Sequence, residues 1–236
     1  MPRSWRPAKN RKREHAASLV GVRDGVRDGV RAEGLLDPLD RLVAAGFAVV
    51  PAAAPREGSC SCDRLGCPTP AAHPLSRAWQ VEASTDPERL ALWRARHPEA
   101  NYVTPTGKTH SVLDVPDDVG ADALRRILVA GTAPGPVAEA DGRYLFFTAP
   151  RTNPDTDDVD EDEWWSSSLD CRPETLQEHP GLRWHDRGSY VFVPPSVNMA
   201  GSTARWVYWP ADGTPLPDAV VVLEVLADVL AEFSAA

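Results

Sequence analysis

Apolar side chains recur at helical spacing in four segments of the chain. In the first, they occupy positions 35, 36, 39, 42 and 43, and Gly46 follows the last turn. In the second, a capping residue, an early proline and a glutamate follow one another from Thr85 to Glu88, which is typical of a helix start. The spacing predicts helices over residues 35–45, 85–96, 121–129 and 220–233.

Short apolar runs between these segments predict strands. Asp141-Gly142 separates two of the runs and is typical of a tight hairpin, and a turn around Pro105 and Gly107 is expected to join two others. Helices and strands do not alternate regularly, so we predict an α/β or α+β fold with a mixed sheet flanked by helices. The predicted strands cover residues 47–50, 102–103, 111–115, 136–140, 143–148, 190–193 and 205–209.

The chain divides into three parts by composition. Residues 1–33 are basic at the start and rich in glycine further on, and are expected to be a tail without stable structure. Residues 34–210 are expected to form the folded domain, and residues 211–236 a C-terminal helix packed on it. Within the domain, residues 52–78 are predicted to form a loop, and residues 151–163 an acidic, solvated loop with seven acids between positions 155 and 163.

Length and composition limit the classes of protein to which the chain can belong. The chain has 236 residues, of which 42% are hydrophobic, so it is long enough to bury a core. It contains neither an apolar run of membrane-spanning length nor a signal-peptide core, and we expect a cytoplasmic protein without a membrane partner.

The net charge of −9 is unevenly distributed along the chain. Residues 1–14 hold six cationic side chains and one acid, so the rest of the chain is more acidic than the total suggests. Such a body is expected to repel nucleic acid outside a local basic groove. The basic tail is interpreted either as solvated or as a contact for phosphates or an acidic partner.

Three of the four cysteines lie within eight residues of one another and precede a histidine. The pattern is Cys60-x-Cys62-x4-Cys67-x5-His73. Three thiolates and an imidazole complete a tetrahedral zinc site and leave no open position for catalysis. We therefore predict a structural zinc loop over residues 60–73, the alternative being unligated cysteines. Cys171 stands apart and is interpreted as an inert thiol.

A series of motifs in fixed order extends over most of the predicted domain. It consists of the stretch from Cys60 to Pro74, Thr85-Asp86-Pro87, Trp93 with Pro98-x-Ala100-Asn101, Thr106-Gly107, Val112-Leu113-Asp114-Val115, and Tyr190-Val191-x-Val193-Pro194-Pro195-Ser196 with Gly201 and Trp206. This series resembles the N-terminal domain of bifunctional DNA primase/polymerases, a prim-pol module of the archaeo-eukaryotic primase superfamily. The resemblance implies an RRM-like mixed sheet flanked by helices, a zinc-bound element, and primer synthesis from nucleoside triphosphates on a DNA template.

The resemblance also implies four catalytic positions, and only one of them keeps its chemistry. The first acid falls on Asp114, whereas the second falls on Pro116, which cannot bind a metal. Tyr144 stands at the expected histidine, and Arg183 is the best match to the third acid. Active members hold magnesium or manganese with these acids, so a degenerate site is expected to have lost nucleotidyl transfer.

The neighbourhood of Asp114 leaves two interpretations open. Arg183 forms an ion pair with Asp114 in place of the metal, or Asp114 only bonds the turn at Pro116. Lys108, His110 and Arg143 are candidates for a nucleotide or template groove, the alternative being that they are surface residues. His97, His179 and His185 show no partner pattern and are expected at the surface.

Three functions remain open on the sequence. The first is a prim-pol-derived module without catalysis that binds DNA, nucleotide or protein. The second is an active primase/polymerase that recruits Asp117, Asp118 or Asp186 as substitute ligands. The third is a zinc-stabilised protein-interaction domain. No helicase motif accompanies the domain, so a role in replication is expected to need a partner protein.

Overall fold

The computed structural model describes residues 36–151 and 168–235. The predicted tail and all but the first residue of the predicted acidic loop at 151–163 lie outside the described residues. The helices are α1 (Pro38–Ala44), α2 (Trp79–Glu82), α3 (Pro87–Arg96), α4 (Asp117–Val129) and α5 (Ala219–Ala235). The strands are β1 (Val50–Ala52), β2 (Pro55–Arg56), β3 (Ser59–Cys60), β4 (Asn101–Pro105), β5 (Ser111–Pro116), β6 (Val137–Ala140), β7 (Arg143–Thr148), β8 (Glu174–Thr175), β9 (Arg183–His185), β10 (Tyr190–Phe192) and β11 (Arg205–Tyr208).

The strands form two larger sheets and one small hairpin. The six-stranded sheet has the order β11-β6-β7-β5-β9-β8, the three-stranded sheet has the order β1-β4-β10, and β2 pairs with β3. Each strand pair in these sheets is antiparallel. The predicted class, an α/β fold with a sheet flanked by helices, is confirmed, but the sheets are antiparallel where a mixed sheet was predicted.

Strand β5 lies inside the six-stranded sheet, between β7 and β9, and its two faces have different surroundings. Leu113 and Val115 point to one face, where they pack with apolar residues of α4 and α5. The fit is close on this side, since a Cβ added at Gly120 of α4 would lie 2.2 Å from Tyr144 Cβ. Val112 and Asp114 point to the other face, because successive side chains alternate along a strand.

A second core fills the space between the two sheets. It joins Val112 and Phe147 of the large sheet to Tyr102 and Val191 of the small one, with Leu42 of α1 beside them. The apolar filling ends before Asp114, so the two sheets enclose an open cleft beyond it.

The four predicted helices and the Asp141-Gly142 hairpin are present, with shifted ends. Helix α3 is capped by Asp86, whose side chain accepts a hydrogen bond from Glu88 N at 2.9 Å, and not by Thr85. The strands on either side of Gly107 do not form a hairpin, because β4 and β5 belong to different sheets. In the predicted loop over residues 52–78, the hairpin β2–β3 is found.

Strand β9 was not predicted, although it carries Arg183 and His185. It is only three residues long, and polar residues surround its single tryptophan, so it lacks an apolar run. Its pairing with β5, Asp114 opposite Arg183 and Val112 opposite His185, comes from the tertiary fold. Within the described residues, no helix combines the length and the apolar character needed to span a membrane.

Candidate functional site

The cleft between the two sheets has a volume of about 230 Å³. Asp114, Arg143, Arg183 and His185 of the large sheet form its floor. Ala71 and Ala72 of the cysteine loop, Cys171 and residues of β10 form its walls. The floor is polar and charged, whereas most of the wall residues are apolar, so the cleft can hold a polar ligand that also has an apolar body.

Asp114 is the buried acid of this floor. Its side chain is 5% exposed, and Arg143 Nε donates to its Oδ1. Arg143 also donates through Nη2 to the backbone oxygens of Asp114, at 3.1 Å, and Gly181, at 2.7 Å. These bonds hold the guanidinium in place, because a planar fork satisfied at several atoms has little rotational freedom left.

The second oxygen of Asp114 also faces cationic groups. His185 Nε2 lies 3.1 Å from Oδ2, and Arg183 Nη1 lies 3.8 Å from it. The predicted ion pair between Arg183 and Asp114 is therefore present. Both carboxylate oxygens of Asp114 thus face cationic groups, which are two arginines and a histidine.

The hydrogen bond with Asp114 determines the charge of His185. Burial alone would lower the pKa of this imidazole, but the bond to Asp114 and the neighbouring Cys171 outweigh burial and raise the pKa to about 9. The side chain is 7% exposed, so little solvent screens this interaction. His185 is therefore cationic at neutral pH.

Two residues at positions implied by the resemblance, Tyr144 and Pro116, are not among the side chains that surround the Asp114 carboxylate. Tyr144 pairs with Val115 on β5, and its side chain lies in the core beneath α4, on the sheet face opposite to the cleft. Pro116 is the residue before α4 and lies opposite Arg143 in the ladder. The β7 residues that face the cleft are therefore Arg143 and Leu145, on either side of the tyrosine.

The three candidate substitute acids make their hydrogen bonds outside the cleft. Asp117 and Asp118 are exposed at the start of α4, where their carboxylates accept hydrogen bonds from the backbone of that same turn. Asp186 accepts a hydrogen bond from Ser111 Oγ at 3.0 Å. None of the three belongs to the described lining of the cleft.

His110 and Lys108 are also outside the cleft lining. His110 is fully buried and stacks on Phe147, with ring centroids 5.4 Å apart. Burial lowers its pKa to about 3, so the ring is neutral and structural. The sequence predicts His110 either in a nucleotide or template groove or at the surface. Both expectations are wrong, because the side chain is part of the core. Lys108 is exposed on the turn before β5.

His185 and Cys171 are the site residues that the sequence did not indicate. His185 was expected at the surface, yet it is buried between Asp114 and Ser189, whose Oγ lies 3.0 Å from Nδ1. Its spacing to Asp114 is 71 residues, so no local pattern could have joined the two. His185 lies two residues after Arg183 and so on the same strand face, and this spacing is the one feature of the sequence that could have placed it in the site.

The cysteine loop forms a second candidate site beside the cleft. The ligand atoms of Cys60, Cys62, Cys67 and His73 all lie within 4.8 Å of one another. His73 Nε2 is 3.5 Å from Cys60 Sγ and 3.3 Å from Cys67 Sγ. Sulfur and nitrogen ligands of a tetrahedral zinc ion are about 3.5 Å apart, so the cluster could hold a metal ion.

The outer partners of this cluster favour a metal ligand role. His73 Nδ1 bonds the backbone oxygen of Pro74 at 2.7 Å, which leaves Nε2 directed at the sulfurs. The backbone N–H of Ala71 donates to Cys60 Sγ at 3.2 Å. The loop is joined to β1 because Ala53 N donates to His73 O at 2.8 Å. The cysteine loop, which supplies the wall residues Ala71 and Ala72, is therefore held against the sheet.

The fold and the two sites together define an α/β domain with an acid-centred cleft and an adjoining Cys3His loop. The family model for the N-terminal domain of bifunctional DNA primase/polymerases matches residues 40–219, and the chain belongs to this family. The comparison with curated proteins found no match.

The raised pKa of His185 predicts a pH-dependent contribution to stability. A group whose pKa rises on folding stabilises fully below its unfolded pKa of about 6.5 and loses this contribution as pH rises through the folded value. We expect the difference in unfolding free energy between the wild type and His185→Gln, from urea denaturation, to be largest near pH 6. It should decline up to about pH 9.

The exposed histidine variant His97→Gln serves as the control for general pH effects. A difference between the wild type and His185→Gln that stays constant over this pH interval would contradict the assignment of a charged His185.

Proposed function

We propose that this domain has lost nucleotidyl transfer and binds the phosphate groups of nucleotides or DNA without a divalent metal. The observation that carries the proposal is the pairing of Asp114, whose carboxylate oxygens face Arg143, Arg183 and His185. The family membership supports the nucleotide or DNA class of ligand.

Charge supports the loss of a catalytic metal. At 4 Å and an effective dielectric of 20, two unit charges interact by about 4 kcal/mol, and a divalent ion doubles that figure. A metal bound to Asp114 in the place of one arginine would still face the other arginine and His185. The gain from a single carboxylate cannot offset several repulsions of this size.

The position of the remaining acids supports the same conclusion. Two-metal nucleotidyl transfer needs carboxylates that converge on ions about 3.5–4 Å apart. Among the described residues, Asp117, Asp118 and Asp186 make their contacts outside the cleft. Asp141 lines the cleft, but its Oδ1 accepts a hydrogen bond from Asn198 Nδ2 at 2.7 Å. The active-enzyme alternative would therefore need a rearrangement of β5 or of its neighbours.

The same cationic groups are suited to an anion. Arg183 is 46% exposed at the cleft, so its guanidinium can contact a ligand while it remains close to Asp114. Arginine binds phosphate through two parallel N–H donors, a geometry that needs no metal. Arg143 is already held by three acceptors, and its contribution is to keep Asp114 neutralised.

The first test of this proposal is primer synthesis. Purified protein with single-stranded template and triphosphates should give no product above background with magnesium or manganese. The variant Asp114→Ala should give the same background. Product from the wild type that disappears in Asp114→Ala would overturn the proposal and favour the active enzyme.

The second test is metal-free binding at Arg183. We expect a deoxynucleoside triphosphate or a short single-stranded DNA to bind in the presence of EDTA. Arg183→Ala should weaken this binding by about fivefold, the factor for an exposed ion pair of roughly 1 kcal/mol. The measurement is fluorescence anisotropy with labelled ligand at two salt concentrations.

Arg96→Ala removes an exposed arginine of α3 outside the cleft lining and is the matched control. Equal losses for the two variants would indicate non-specific charge attraction, and no binding at all would favour the third function, a protein-interaction domain. Either result contradicts phosphate binding in the cleft.

We further propose that the ion held by the cysteine loop is a structural zinc. Four protein ligands close the coordination sphere, so the ion has no open position for water or substrate. The loop buries few large apolar side chains, and zinc binding can supply on the order of 10–16 kcal/mol toward its order.

Metal analysis tests the zinc proposal. Protein purified without added metal should contain about one equivalent of zinc, as a single four-ligand site requires. Cys67→Ser should reduce the zinc content to near zero and lower the melting temperature, whereas Cys171→Ser, outside the cluster, should leave the zinc content unchanged. Absence of zinc in the wild type, or its retention in Cys67→Ser, would contradict the assignment.

A further inference from the structure

Cys171 is the one cysteine of the chain that lies outside the cysteine loop, and it lines the cleft. Its Sγ lies 3.5 Å from His185 Nδ1 and 3.3 Å from Ser189 Oγ. When protonated, it donates to the backbone oxygen of Tyr190 at 3.1 Å. The thiol is neither fully buried nor fully exposed, so it has polar partners on one side and the open cleft on the other.

Three side chains form a continuous hydrogen-bonded series from an acid to this thiol. Asp114 Oδ2 accepts from His185 Nε2 at 3.1 Å, which fixes the orientation of the imidazole and stabilises its protonated form. The opposite ring nitrogen, Nδ1, then faces Cys171 Sγ. An acid that orients a histidine, which in turn contacts a nucleophile, is the arrangement that activates thiols and hydroxyls in many unrelated proteins.

We propose that Cys171 is a reactive thiol and a site of covalent modification, open through the cleft to small electrophiles and to hydroperoxides. With an alkylating reagent, the thiolate sulfur bonds to carbon and the halide leaves. With a hydroperoxide, sulfur bonds to the terminal oxygen, the O–O bond breaks, and the alkoxide or hydroxide leaves and takes a proton from His185. The products are a sulfenic acid and an alcohol or water.

The charges around the sulfur favour its ionised form. Burial alone would raise the pKa of the Cys171 thiol, but the hydrogen bond and the positive charge of His185 outweigh burial and lower it. Asp114, Arg143 and Arg183 lie beyond His185, and one acid with two arginines gives a net charge of +1. The phenol of Tyr190, against the same segment, stays neutral because burial raises its pKa above the accessible range.

Ser189 is not the reactive group, although its Oγ is closer to Nδ1 than the sulfur is. It is 0% exposed, so a reagent in the cleft cannot reach it. Its hydroxyl instead bonds to both Nδ1 and Sγ and can pass a proton between them. The accessible nucleophile of the cluster is therefore the thiol.

The test is carbamidomethylation of the full-length, zinc-loaded protein by iodoacetamide, followed at the Cys171 peptide by mass spectrometry. At pH 6.5 the wild type should react about threefold to tenfold faster than His185→Gln, because a larger thiolate fraction is partly offset by weaker intrinsic nucleophilicity. Ser189→Ala, which leaves the Asp114–His185 contact intact, should stay closer to the wild type. Equal rates for the wild type and His185→Gln at pH 6.5 would overturn the proposal.

The wild type alone also decides the matter if His185→Gln fails to fold. The pH at which its rate of modification reaches half-maximum should lie below that of an ordinary thiol, which is about 8.5, because His185 lowers the pKa of Cys171. A half-maximum at the ordinary value overturns the proposal. Treatment with hydrogen peroxide and a dimedone probe should then label Cys171 in the wild type. The absence of label would refute the proposed oxidation of Cys171 by hydroperoxides.

The proposal does not depend on phosphate binding in the cleft, because neither reagent is a phosphate.

Discussion

The charge balance around Asp114 is the constraint on which the cleft depends. This carboxylate lies on an interior strand, almost fully buried, and an unpaired charge there would be costly. Arg143, Arg183 and His185 meet that requirement from the two neighbouring strands, β7 and β9. The buried charge is thus balanced by side chains of the protein itself. Under the proposed function, these cations occupy the surroundings in which a catalytic ion would have to sit.

The cysteine loop and the cleft belong to one structural unit. Tyr190, on β10, donates a hydrogen bond to Leu169 O at 2.7 Å and lies 3.1 Å from Ala72 O, so its hydroxyl joins the segment before Cys171 to the segment before His73. Ala71 and Ala72 of the same loop form part of the cleft wall. Under the proposal of a structural ion, order at the Cys3His cluster would therefore also support the wall of the cleft.

Much of the fold could be predicted, because it depends on local patterns. The Asp141-Gly142 hairpin is present, with positive φ values of 52° and 71° that suit an aspartate and a glycine. Helix α3 was predicted from the start pattern with its early proline, although Asp86 and not Thr85 caps it, and the Cys3His cluster was predicted from spacing within a single loop. Strand β9 could not be predicted, since it gains its conformation from pairing with β5 rather than from an apolar run of its own.

The amino-acid sequence alone reveals which chemical groups the protein has. These are one acid where the family resemblance implies several, three cysteines and a histidine at metal-binding spacing, and an arginine at the position of an acid. Their partners depend on the folded domain. His185 and Arg143 meet Asp114 across 71 and 29 residues of chain, and Tyr144 points to the opposite face because side chains alternate along a strand. Long-range pairing and strand register are set by the packing of the whole domain, and for that reason local patterns could not reveal them.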